Sequence, residues 1–497
     1  MRAKQVGSSS LKDVSSENLR ALWDLESMKS SHDCDSVCPF DLVLGDFYLP
    51  CDALEVKAYH GGEKVKVCYS GEGTKTFYRE GPLWWKLKIR YDRERKKTHY
   101  NGNFKYSRVK WVEQQWWSDG GDTVFRSVSD HGNGVVSVVA YPSSRPPAEQ
   151  WPAIERSIQQ RYGKLDPESE HDGRLKILGY QWRVLRFNEN TRQSTAKIMA
   201  AYRNSDPSSL FLMQQPHCLA VPYLKSMVST GLTALASSGY DLSGAVTGKR
   251  SMKILCVGHG GGSLPLFLAS KIKGASVHIV EIDPVVVMAS VQAMGFPASA
   301  VKETSDKLSF DQSSYADKVL WERMHERLFL HRSDAEDFVL SSRDIYDLVF
   351  IDAYDGDDIF PHKLWDRQGP FLESLRSKVH PVHGTVVVNL HSDSEVLSMD
   401  MKDYSLCQSM LPMSTYISQV RKAYEEHFGL AYFFSVPWLC NITLVACSGM
   451  GLGINGRELD KNLVLSALIA KCYLVEFVLG LPFPCLPYIK RGFMSFD

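Results

Sequence analysis

The stretch Met252–Leu264, MKILCVGHGGGSL, restricts the possible folds of this 497-residue chain more than any other. An apolar strand-like run enters a glycine-rich turn and then a helix-forming segment over 265–270. Such a turn lets the backbone approach a ligand where a helix start offers unpaired N–H groups. Gly258, Gly260 and Gly262 set the spacing G-x-G-x-G. A second apolar run, Val277–Val280, ends in Glu281-Ile282-Asp283-Pro284. That acid lies at the neighbouring strand end, where Glu281 can accept both hydroxyls of a ribose. Glycines alone would serve any tight turn, but together with the acidic strand end they point to a nucleoside crevice.

The pattern does not by itself separate a nicotinamide dinucleotide from S-adenosylmethionine. Ser263 stands where a dinucleotide fingerprint wants its third glycine, which tilts the choice towards the sulfonium cofactor. Two further runs sharpen the reading. Leu328–Arg332 leads into a helical segment, with Asp334 placed to accept from an adenine amino group. Tyr346–Ile351 is a buried strand ending in Asp352-Ala353-Tyr354-Asp355-Gly356-Asp357-Asp358. In an open parallel sheet the carboxyl ends of the strands are where ligand meets chemistry. After Lys249, short apolar runs alternate with helices, the pattern of a parallel sheet with crossovers.

The first third differs in character. Residues 40–145 read as strands and turns, with Trp85–Tyr91 alternating apolar and basic residues and Asn101-Gly102 marking a hairpin before a return strand over 104–111. Seven of the eleven tryptophans fall there (Trp23, Trp84, Trp85, Trp111, Trp116, Trp117, Trp151). The expected organisation is a β-rich module over 1–170, a transferase domain over 171–450 and a helical extension over 451–497. Within the domain, 171–240 is a hairpin and helix lead-in, and 250–450 the Rossmann-like core.

Lys+Arg 57 balances Asp+Glu 57, so bulk charge predicts no partner. The basic run Lys86–Lys110 reads as a solvated sheet face rather than a nucleic-acid site. Leu463–Leu481 is long enough to cross a bilayer, but Lys471 and Glu476 sit within it, so it reads as a buried helix of a soluble domain. No metal site is expected, since Cys34, Cys38, Cys51, Cys68 and His60 lack tight C-x-x-C spacing. Eleven cysteines without paired spacing, after an opening that lacks an apolar signal core, fit a reducing, cytoplasmic location.

The motifs ILCVGHGGGSLPL, HIVEIDPVVV, RSDAEDFV, DLVFIDAYDGDDIFPHKL and VVVNLHSD resemble the spermidine-synthase-like branch of the class I S-adenosylmethionine-dependent transferases. The likeness covers residues 175–450. It implies a Rossmann-like α/β domain with a mostly parallel, seven-stranded-type sheet, and adenosylmethionine as cofactor. It also implies a cofactor-contacting glutamine, matched by Gln193. Asp352 and Asp355 keep the family's Asp-x-x-Asp spacing, in which the first acid orients or deprotonates an attacking amine. Two acids of true aminopropyltransferases are absent. Gly261 replaces the aspartate of their glycine loop, and Tyr223-Leu224-Lys225-Ser226-Met227 replaces a segment carrying a glutamate.

A polyamine is a chain of cations that needs carboxylates to replace its lost hydration. The departures therefore favour methyl transfer to an amine, on a small molecule or a protein lysine, over aminopropyl transfer. A non-catalytic scaffold is a third reading. In the favoured one Asp352 takes the amine's proton and Tyr354 walls the acceptor channel. Asp355, Asp357 and Asp358 attract a cation, or simply cap the following helix around 359–365. His259 reads equally as a cofactor contact or a solvent-facing loop residue, and Cys256 as a small buried hydrophobe. Most of His325, His331, His362, His380, His383 and His391 read as surface or helix-end groups.

Overall fold

The computed structural model describes residues 53–60, 63–67, 85–91, 99–101, 121–143, 145–165, 175–188, 191–204, 206–302, 320–356, 359–391, 415–436, 441–448, 461–490 and 492–493. The chain divides into two compact units. The smaller holds a four-stranded antiparallel sheet of β1 (Ala53–His60), β2 (Glu63–Val67), β3 (Trp85–Tyr91) and β4 (His99–Asn101), in the order β2-β1-β3-β4. The expected hairpin shifts here. Asn101 pairs with Lys88 as part of the return strand, so the turn precedes it. The 104–111 run, the side chains of all five zinc candidates (Cys34, Cys38, Cys51, Cys68 and His60) and most of the tryptophans lie outside what the structure describes.

The larger unit opens with a five-stranded antiparallel sheet: β5 (Asp122–Val128), β6 (Val135–Ser143), β7 (Leu175–Phe187), β8 (Thr191–Arg203) and β9 (Asp206–Gln214). The boundary expected near 170 falls inside this sheet, because β6 pairs with β7 from Val136–Phe187 to Ser143–Tyr180. The polar stretch after Lys164 connects strands of one sheet rather than two domains. Val136, Val138, Leu185, Phe187 and Ile198 pack on Val285, Val286 and Ala289 of the helix Pro284–Gln292. That contact brings the Ser129–Gly134 tip of the β5–β6 hairpin to the carboxyl edge of the second sheet.

The second sheet has eight strands, one more than expected: β10 (Met252–Val257), β11 (Ala275–Glu281), β12 (Val301–Lys302), β13 (Leu328–Arg332), β14 (Leu348–Ile351), β15 (Thr385–His391), β16 (Leu430–Ser435) and β17 (Asn441–Cys447). Their order is β12-β13-β11-β10-β14-β15-β17-β16. The extra strand is the two-residue β12. All pairings up to β15 are parallel, while β17 runs antiparallel to β15 and β16. Leu255, Val257, Val349 and Val388 face one core and Ile254, Cys256, Phe350 and Val387 the other, so the strands are apolar on both faces.

The helix Pro222–Ser237 is buried nearly all round, because the sheet covers one side and the helix Lys461–Leu479 the other. Gly231 permits this close approach, since a Cβ there would lie 2.6 Å from Val387 Cγ2. The C-terminal segment is thus part of the same core rather than an appended extension. Its helix, expected to be buried, is buried on one face only. Val464, Leu468, Cys472, Val475 and Leu479 face inward, whereas Leu463, Tyr473, Leu474 and Phe477 are exposed. Its span Asn462–Leu479 is long and apolar enough to cross a membrane.

Candidate active site

The ladder of the parallel sheet brings three chain-distant strand ends to one level. Val257 is in register with Val280 and with Ile351. The bonding continues past the strands, with Gly258 N–H donating to Val280 C=O (2.9 Å) and Asp352 N–H to Val257 C=O (2.8 Å). A cavity of about 220 Å³ opens there, lined by Gly258, Gly260, Glu281, Asp334, Asp352, Tyr354, Asp355 and Gln193 among others. The structure therefore gathers the singled-out residues, apart from Gly262, around one space. Gly262 lies behind it, where a Cβ would meet Phe296 at 2.4 Å.

The glycine spacing has a steric origin. Gly258 adopts φ +88°, and a Cβ there would sit 2.1 Å from the Asp352 carbonyl oxygen. Only glycine lets the first loop lie against the end of β14. Glu281 is buried beside the same loop. Its Oε2 accepts His259 N–H and its Oε1 accepts Asp283 N–H, both at 3.0 Å. Burial pushes its carboxyl up to about 7 even though these backbone donors favour the charged form. A diol is the kind of partner that could add donors to a carboxylate whose partners here are backbone N–H groups.

The structure corrects one side-chain reading and adds partners to others. His259 does not face solvent: it is buried, its Nε2 lies 2.8 Å from Ser290 Oγ, and its ring stands edge-on to Phe296. Burial drops it to about 3, so it stays neutral. Asp334 caps the helix Ala335–Ser341 and is ion-paired to Lys363. Burial opposes its ionisation, but the Lys363 ammonium and the Glu336 and Asp337 N–H groups outweigh that and hold it below the usual value. An adenine amino group would have to share or displace that lysine. Among the histidines, His325 and His383 are buried, and His383 Nε2 lies 2.7 Å from Asp347 Oδ1. Cys256 is buried as expected, and desolvation pushes its thiol well up.

On the far side of the cavity Asp352 Oδ1 accepts Asn389 Nδ2 at 2.8 Å, and Tyr354 Oη donates to the Asn389 carbonyl at 2.9 Å. The Tyr354 ring stacks on His391, with centroids 4.2 Å apart. Asp355 Oδ1 accepts Ile359 N–H (2.9 Å), closing a turn. The expected helix over 359–365 is only the single turn His362–Leu364. Asp357 and Asp358 lie outside the described residues. Gln193 fits a cofactor contact, since its Nε2 is buried at the cavity wall without a hydrogen-bond partner.

Several lining residues carry no local sequence signal. His131 and Asn133 reach the cavity from the hairpin tip. Buried Asp283 holds that tip, accepting Ser129 Oγ and Asn133 Nδ2, both at 2.6 Å, besides capping its own helix at Val285 N–H. Gly356 N–H donates to Gly132 C=O at 3.3 Å, tying the tip to the segment after β14. Lys363 and Asn389 were equally silent. Asn389 left one trace: an amide interrupting the apolar run Val386–Leu390. No metal-holding group of His, Cys, Asp or Glu occurs among the described residues.

No family model and no curated protein matches the chain. Solved structures similar to it include human methyltransferase-like protein 13 in complex with SAH, at 20% identity and TM-score 0.35, covering 53% of this chain and 94% of that one. A probable spermidine synthase from Corynebacterium glutamicum matches at 16% identity and TM-score 0.34, covering 62% and 93%. The O-methyltransferase TomG from Streptomyces achromogenes, in complex with SAM, matches at 13% identity and TM-score 0.27, covering 47% and 82%.

Proposed function

We propose that the chain is an S-adenosylmethionine-dependent methyltransferase acting on an amine, of a small molecule or a protein lysine. The observation that carries this reading is the convergence of the Gly258 turn, Glu281 and Asp352 around one cavity. Glu281 takes the ribose hydroxyls, Gln193 Nε2 serves the polar end of the cofactor, and the glycine turn lets the backbone lie against it. When bound, the cofactor supplies an electrophilic methyl group with its own leaving group.

The protein's share is alignment and proton removal. Asp352 accepts the proton of the incoming ammonium, directly or through water, and Tyr354, pinned by Asn389 and His391, forms the channel wall. Packing at Gly261 supports methyl over aminopropyl transfer. A Cβ there would meet Met294 Cε at 2.6 Å and Ser194 Oγ at 2.7 Å, so an acid at this position would have to displace both side chains before it could receive an aminopropyl ammonium.

Incubation with methyl-labelled adenosylmethionine and cell extract tests the reading. Base-stable label on an amine is expected, absent with Asp352→Asn. Base-labile label, or consumption of the decarboxylated cofactor instead, would contradict it.

A further inference from the structure

The end of β15 holds an amide pair whose bearing on Asp352 the reading so far leaves open. Asn389 is 1% exposed. Its Nδ2 donates to Asp352 Oδ1 (2.8 Å), and its Oδ1 accepts Nδ2 of Asn441 (3.0 Å), itself buried at the start of β17. Its carbonyl takes the Tyr354 hydroxyl. The sheet imposes this meeting: Val388 is in register with Ile351, so the next residues, Asn389 and Asp352, are neighbours, while Asn441 faces His391 on the other side.

The direction of the relay follows from donor and acceptor chemistry. An ionised carboxylate only accepts, so Asn389 must turn its NH₂ to Asp352 and its oxygen to Asn441, which must then donate. A buried amide with both ends committed is costly to misplace.

We infer that Asn389, oriented by Asn441, is a positioning residue that fixes Asp352 Oδ1 and holds that carboxylate at the acceptor channel. The inference rests on the reading of Asp352 as proton acceptor. Because an amide N–H favours the ionised carboxylate, the pair keeps Asp352 ready to take a proton. The same residue sets the Tyr354 wall through its carbonyl.

Two variants test it. Asn389→Asp places one carboxylate against another, so the pair must share a proton. Asn441→Asp presents an acceptor to Asn389, whose NH₂ turns to it and leaves an oxygen facing Asp352. In both, carbon NMR of labelled aspartate, assigned with Asp352→Asn, should show Asp352 titrating about one pH unit higher. The acid limb of the rate profile should rise with it, while misplacement of the carboxylate should lower the kcat plateau about 10- to 100-fold and leave cofactor Kd within about threefold. Asn441→Asp, at the strand start, keeps the test alive if Asn389→Asp fails to fold. An unmoved titration, or a rate loss uniform across pH, would overturn the relay. If the wild type transfers no methyl, the functional reading fails, and the Asp352 titration alone decides: a raised one supports the relay and an unmoved one overturns it.

Discussion

The two walls of the cavity are built by different means. The wall of β10 and β11 is local: glycines and one acid within about 25 residues place themselves, with backbone N–H groups as Glu281's partners. The opposite wall is assembled from afar, with Asp352, Tyr354, Asn389, Asn441 and Lys363 supplied by separate segments. A local wall can be kept through changes elsewhere in the chain, while a composite wall can be retuned one side chain at a time. That is the division expected of an enzyme that keeps its cofactor and varies its acceptor.

Variants should separate the walls. Asp352→Asn should lower kcat by about 10²- to 10⁴-fold while changing cofactor affinity far less, read by steady-state kinetics beside calorimetry. Equal losses in both would merge the walls. On the local wall, Gly258→Ala forces a Cβ onto the Asp352 carbonyl and should weaken cofactor binding about 100-fold. Gly260→Ala should do less, because its Cβ would come no closer than 3.5 Å to Ser194.

Glu281→Gln tests the charge of the local wall. Burial favours the neutral acid, so as pH rises from 4.5 through about 7 a charge is forced into the ligand-free fold and stability falls. Diol binding favours that same charge, so wild-type cofactor affinity should rise with pH through about 7. Glu281→Gln should abolish both trends and weaken binding about tenfold, read by thermal melts and titrations across that range. The smallest effect is expected where the hairpin tip joins the two walls. Ser129→Ala leaves Asp283 short of one donor and should cost about 1.5–3 kcal/mol in denaturant unfolding, with only a slight loss of affinity.

Legibility in the sequence followed the same division. Strand, glycine turn and acidic strand end lie within one short segment, so Gly258, Gly260 and Glu281 could be named from pattern alone, and Asp352 from the acid that ends its own apolar run. The boundary near 170 failed because antiparallel pairing joined β6 to β7 across a polar connection, a tertiary fact without local signature. His259 misled for a related reason: a loop position implies exposure, but Ser290 and Phe296 fold over it. Lys363 and Asn441 were invisible because each meets its partner only through the sheet or a distant turn.

Calorimetric titration with adenosylmethionine, its decarboxylated form and NAD, on both sides of pH ~7, bears most directly on the claim that Glu281 and the Gly258 turn hold a nucleoside sulfonium. Binding of adenosylmethionine in preference to the other two, tighter at the higher pH and lost in Gly258→Ala, is the predicted result. No binding of adenosylmethionine, or a preference for either alternative, would contradict it.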